Sequence, residues 1–156
     1  MTDEAADRAL GSLLEGRACG VAESCTGGLV SQSLARIEGS SDWFRGAAVT
    51  YQKQAKYKLL GVTPGPVVNT RAAEEMARGA ARLLDADTTV AVTGAAGPDP
   101  QDGMAPGTVF IAVYVDGSVT TQEHHFDGDP EAICEQACDV ALEQLTRALR
   151  ARASTG

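Results

Sequence analysis

Aromatic side chains are scarce in this 156-residue sequence, at 4% of positions against 44% for all hydrophobic residues. The core must then be built mainly of Ala, Val, Leu and Ile, the small and branched residues of helices laid on a sheet. Histidine is scarcer still. His124 and His125 are the only two, and neighbours in a strand point to opposite faces, so a zinc centre or a Ser–His pair has little support. The four cysteines (Cys19, Cys25, Cys134, Cys138) lack Cys-x-x-Cys spacing and read as packing thiols of a reducing compartment. No apolar run approaches the roughly 18 residues of a membrane span. The first residues, MTDEAADRALGSLL, carry acid where a signal peptide carries base. A cytoplasmic protein without a membrane partner is expected. Positive charge is also short: the formal net charge of −8 opposes diffuse binding to polyanions and argues against a nucleic-acid partner. The length fits one domain over residues 1–156, with the tail 151–156 frayed.

What is present alternates in period. Residues 3–15 carry Ala6, Leu10, Leu13 and Leu14 at helical spacing, with Gly16 as a stop. Residues 18–22 form a short strand, Glu23–Gly28 a tight turn, and Leu29–Ile37 a helix. Residues 47–51 read as a second strand leading into a helix over 52–60. Asn69 or Thr70 caps a longer helix whose stripe of Ala73, Met76, Ala77, Ala80, Leu83 and Leu84 faces a sheet. Residues 88–93 are β-branched and apolar. They open into a loop over 97–107 in which six residues are Gly or Pro, a composition typical of functional loops. Asp116-Gly117 joins strands 108–115 and 118–126 as a hairpin. Asp129 and Pro130 start a last helix that runs to about Arg150. The pattern predicts an α/β fold, a three-layer α/β/α sandwich around a mixed sheet of about five strands.

Ligands of open α/β sheets gather at the carboxyl ends of the strands. Ser24, Tyr51, Thr93 and Gly94 fall at such ends. Ser24 sits between a strand and a helix N-terminus, where an exposed hydroxyl meets the amides of a first helical turn, a candidate oxyanion hole. The same Glu23-Ser24-Cys25-Thr26-Gly27-Gly28 run also reads as an anion-binding turn in which Ser24 and Thr26 cap the helix. A serine nucleophile needs a base. Lys56 leans back toward the strand ends from the first turns of its helix, and a desolvated lysine can serve. Tyr51 is then placed to bond Ser24 or Lys56. A surface lysine and a core-edge tyrosine are the plainer alternative. Arg45, Lys53, Lys56 and Lys58 form either a local positive pocket or a solvated helix face.

The motifs A-E-S-C-T-G-G at 22–28, G-S-S-x-W-F-x-G at 39–46, T-Y-x-x-x-A-K at 50–56 and L-L-G-V at 59–62 resemble the CinA C-terminal domain family. So do V-T-G-x-A-G-P at 92–98, P-G-T-V at 106–109 and F-x-G-D at 126–129. Members include stand-alone nicotinamide mononucleotide amidohydrolases of the PncC type, and this chain is expected to be of that kind. The resemblance implies hydrolysis of nicotinamide mononucleotide to nicotinic acid mononucleotide and ammonia, with no cofactor and no metal, by a homo-oligomer of α/β/α fold. It maps the nucleophile onto Ser24, the base onto Lys56 and an assisting hydroxyl onto Tyr51. Thr93 becomes a further site hydroxyl, and Thr26, Gly27, Gly28 and Gly94 join the substrate site. Two positions depart from the family pattern. Pro130 stands where an arginine usually follows F-x-G-D, and Gln52-Lys53-Gln54 replaces S-N-E, with Lys53 a candidate to restore positive charge. A related amidase of altered substrate, or a non-catalytic nucleotide-binding paralogue, are the competing readings.

Overall fold

The computed structural model describes residues 3–155. The elements run α1 (Glu4–Leu14), β1 (Cys19–Glu23), α2 (Leu29–Ala35), one 3-10 turn (Ser40–Asp42), β2 (Phe44–Val49), α3 (Lys53–Leu60) and α4 (Thr70–Leu84). They continue as β3 (Thr88–Gly94), β4 (Thr108–Val115), β5 (Ser118–His125) and α5 (Pro130–Thr155). Short polar side chains start the helices by taking up free first-turn amides. Asp3 accepts from Ala5 and Ala6, Asn69 from Ala72, and Asp129 from Ala132.

The five strands form one mixed sheet in the order β2-β1-β3-β4-β5. β2, β1 and β3 are parallel, and β4 and β5 are antiparallel additions. The β4–β5 turn places Asp116 and Gly117 at φ 49° and 95°, the left-handed pair that a two-residue hairpin needs.

Side-chain size divides the two faces. Val21, Val90, Val92, Ile111 and Val113 point into a core completed by α1, α2 and α5. On the other face Ala48, Ala22, Ala91 and Ala112 lie side by side across four strands and meet Ala73, Met76, Ala77 and Ala80 of α4. Alanine against alanine lets α4 approach the sheet closely, which is how so few aromatics fill the core. Gly79 extends this economy to the next layer. A Cβ there would lie 2.1 Å from the Leu60 carbonyl oxygen at the end of α3.

Several boundaries differ from the expected ones. β2 begins at Phe44 and ends at Val49, because Arg45 bulges from the ladder between the pairs Cys19–Phe44 and Gly20–Gly46 and hides the alternation. Thr50 and Tyr51 therefore lie just past the strand. α2 stops at Ala35. Leu83 is half exposed, since the stripe of α4 returns to the sheet at Leu84, whose side chain fills the space beside Gly20. Residues 151–155 continue α5 instead of fraying, with Arg152 Nε held 3.0 Å from Asp116 Oδ2. Gly156 lies outside the described residues.

Candidate functional site

The turn after β1 is organised by a residue that periodicity did not single out. Glu23 is fully buried, and its carboxylate accepts from Thr26 Oγ1 at 2.6 Å and from the amides of Gly28, Val30 and Ser31 at 3.2, 3.0 and 2.8 Å. The Ser31 hydroxyl is a fifth donor. Gly28, at φ 112°, is the N-cap of α2 and has no side chain to cap with, so the strand-end carboxylate does that work from beneath. This corrects the expected oxyanion hole. The first-turn amides are spent on Glu23, and Gly27 and Leu29 donate to Ser24 and Thr26 carbonyls. Of the turn's amides, those of Cys25 and Thr26 are not taken up by another described residue, and that of Cys25 lies by its own sulfur.

Ser24, Cys25, Tyr51 and Gly94 line one cleft of about 260 Å³, walled on its far side by Ala96, Gly97, Pro98, Asp99, Pro100 and Gln101. Beside it Lys56 is buried to 1% exposure. Its Nζ donates to the carbonyls of Thr50 (2.6 Å) and Tyr51 (3.3 Å), while the Thr50 amide donates to the Glu23 carbonyl at 2.7 Å. Two hydrogen bonds thus link the lysine ammonium to the residue preceding Ser24. Burial lowers the Lys56 pKa to about 8, opposed by Cys25 where its thiol is ionised and by the Asp102 carboxylate, and assisted by the charge of Lys53. Burial also pushes the Cys25 thiol up to about 12, so at neutral pH it stays protonated.

Tyr51 and Gly94 stay with Ser24 at this cleft, and the remaining predicted residues scatter. Tyr51 is 68% exposed at the cleft mouth. Thr93 is buried and donates its hydroxyl to the Val67 carbonyl at 2.7 Å, away from the cleft lining. Thr26, Gly27 and Gly28 face a separate hollow of about 480 Å³ that includes Glu131, Cys134 and Glu135. Lys53 Nζ lies 2.6 Å from Asp102 Oδ1. The four cations do not form a pocket: Arg45 bonds the Leu84 carbonyl, Lys58 is exposed, Lys53 is paired and Lys56 is buried. His124 bonds Gln144 and stacks on Phe126, whereas His125 is exposed beside Glu123. Among the described residues no group of His, Cys, Asp and Glu could hold a metal, and no helix is long and apolar enough to cross a membrane. A larger groove of about 570 Å³ between α1 and α5 holds none of the predicted residues.

A mixed sheet covered on both sides, with a serine turn and a desolvated lysine at the ends of neighbouring parallel strands, defines an α/β/α protein with a polar cleft at its strand ends. This chain belongs to the CinA C-terminal domain family, which it matches over residues 3–149. It is 41% identical over 133 residues to the nicotinamide-nucleotide amidohydrolase PncC of Enterobacter agglomerans, covering 81% of each chain. It is also 41% identical over 140 residues to a CinA-like protein of Geobacter metallireducens, covering 86% of this chain and 34% of that one. The chain spans about a third of the length of most of the curated relatives it matches. Among solved structures it resembles CinA superfamily proteins of Klebsiella pneumoniae (TM-score 0.90, 30% identity, 96% and 99% covered) and Enterobacter cloacae (0.89, 32%, 94% and 91%).

Proposed function

We propose that the protein is a nicotinamide mononucleotide amidohydrolase, cleaving the carboxamide to a carboxylate and ammonia with Ser24 as nucleophile and Lys56 as base. The observation that carries this reading is Lys56: a lysine at 1% exposure whose pKa is lowered to about 8 can shed its proton near neutral pH. The kinship with the Enterobacter agglomerans amidohydrolase supports the substrate.

In this reading Ser24 Oγ adds to the amide carbon as its proton passes to Lys56 Nζ. The oxyanion that forms is held by the Cys25 and Thr26 amides. Collapse of the tetrahedral adduct breaks the carbon–nitrogen bond, and Lys56 returns the proton to the leaving ammonia. Water then attacks the acyl-Ser24 ester, giving its proton to Lys56, which passes that proton to Ser24 Oγ as the ester bond breaks and the acid departs. Tyr51 assists from the cleft mouth, where its ring can also cover the pyridine. The cytoplasm is the proposed setting and a homo-oligomer the proposed assembly.

The test is ammonia release from nicotinamide mononucleotide, with nicotinamide, nicotinamide riboside and Ser24→Ala as controls. Release from the mononucleotide that disappears in Ser24→Ala is expected. A folded wild-type protein that releases none overturns the reading in favour of a changed substrate or a binding-only role.

A further inference from the structure

One wall of the cleft, Ala96–Gln101, belongs to neither a helix nor a strand, and only an isolated bridge between Gln101 and Met104 interrupts the loop beyond it. Something else must fix its distance from Ser24. Asp102 follows this wall directly, in the left-handed region at φ 53°, with a side chain only 8% exposed. Its Oδ1 accepts from Lys53 Nζ at 2.6 Å and its Oδ2 from the Val67 amide at 2.9 Å. Lys53 lies two residues beyond Tyr51, which lines the same cleft. Val67 is held at both of its backbone groups by the residues bracketing the wall: its amide by Asp102, its carbonyl by Thr93 Oγ1 at 2.7 Å. An exposed ion pair contributes little to stability. This one is shielded on the carboxylate side and shares that carboxylate with a backbone amide, an arrangement with enough directionality to hold a loop.

We propose that Asp102 is a positioning residue: by gripping Lys53 and the Val67 amide it clasps the Ala96–Gln101 wall over the cleft and so sets how the substrate carboxamide is presented to Ser24. The role in presentation rests on the amidohydrolase reading; the clasp itself does not. Asp102 touches no reacting atom. Its consequence is that the wall keeps its place only while Lys53 and Asp102 are paired, which makes the pair a determinant of substrate affinity more than of chemistry. Lys53 is thereby occupied by a carboxylate of its own chain, and a substrate phosphate has to compete for it.

The test uses Asp102→Asn, Lys53→Met and the double variant of the full chain. Without substrate, hydrogen–deuterium exchange over residues 96–104 should quicken about ten-fold in each single variant and no further in the double, as for two residues acting through one contact. Unchanged exchange in Asp102→Asn overturns the clasp, whatever the substrate proves to be. In ammonia release from nicotinamide mononucleotide, each single variant should raise KM roughly five-fold or more and leave kcat within about three-fold, the signature of lost binding and intact chemistry. The acid limb of the pH–rate profile should move down in Asp102→Asn and up in Lys53→Met, because the two changes remove opposite charges near Lys56. A fall in kcat at constant KM, or two limbs that move together, overturns the positioning role. A wild-type protein with no ammonia release counts against the reaction, and the exchange data then decide the clasp alone.

Discussion

Glu23 and Lys56 are both buried charges near the ends of adjacent parallel strands, yet their surroundings are opposite in kind. Glu23 receives five donors, three of them backbone amides fixed by the geometry of α2. Lys56 has two carbonyls, one of them at 3.3 Å, for an ammonium group that can donate three bonds. A buried charge that is fully hydrogen-bonded behaves as part of the scaffold. One that is under-supplied is held near the point of losing its charge. The two sit side by side: the carboxylate fixes the Ser24 turn, and the lysine, two hydrogen bonds from that turn, holds its proton less tightly than an ordinary lysine.

Removing the under-supplied charge should have the largest effect on activity. Lys56→Met should lower kcat/KM for the amidase reaction by about 1,000-fold, the scale of a lost general base. The same change should raise stability at neutral pH by on the order of 2 kcal/mol, since a poorly solvated charge is removed. Because the folded-state pKa of about 8 lies below the ordinary lysine value of 10.5, the native state holds fewer protons than the unfolded chain between these values. Wild-type stability therefore gains from Lys56 as pH rises from 8 to 10.5, and the advantage of Lys56→Met shrinks over that window. Thermal melts of both proteins at pH 7 and pH 10 measure it; a variant less stable than wild type at pH 7 would mean the lysine is well solvated after all. The fully satisfied charge should respond in the other direction. Glu23→Gln keeps the shape but replaces an acceptor oxygen with a donor amide facing other donors. It should cost about 3 kcal/mol, or roughly 10 °C in Tm, and activity should fall with the fraction folded. A Tm within a degree or two of wild type would remove Glu23 from the scaffold.

The same contrast explains what was readable before the structure. The position of Lys56 near the strand ends was legible because helical side chains lean toward the helix N-terminus, and Lys56 is three residues into α3. The sheet order was partly legible through the alternation of strands and helices and the Asp116-Gly117 turn. Glu23 was not, because a glutamate closing a short strand has no local mark; its five donors, at Thr26 to Ser31, converge only once the chain reverses at Gly27 and Gly28. Asp102 was hidden in a Pro- and Gly-rich loop, where side-chain direction follows no period. The expected cluster of cations failed for a geometric reason. Arg45 and Lys56 are close in sequence, but β2 runs between them, and a strand separates its ends by about 3.3 Å per residue.

The smallest effect tests whether the Ser24 turn binds ligand on both of its sides. Thr26 was expected to touch substrate, but its hydroxyl donates to Glu23 at 2.6 Å, and its lining contribution faces the second hollow instead of the Ser24 cleft. Thr26→Val preserves side-chain shape and removes one of Glu23's five donors. Loss of a single bond to a buried carboxylate should cost about 1–2 kcal/mol, visible as a Tm lower by a few degrees. The other four donors keep the turn in place, and KM for the mononucleotide should stay within about two-fold of wild type, as for a side chain that contributes no binding energy. A KM raised several-fold with an unchanged Tm would reverse the assignment: the hydroxyl would then be serving the ligand, and Glu23 would need only the backbone amides and Ser31 to remain fully satisfied.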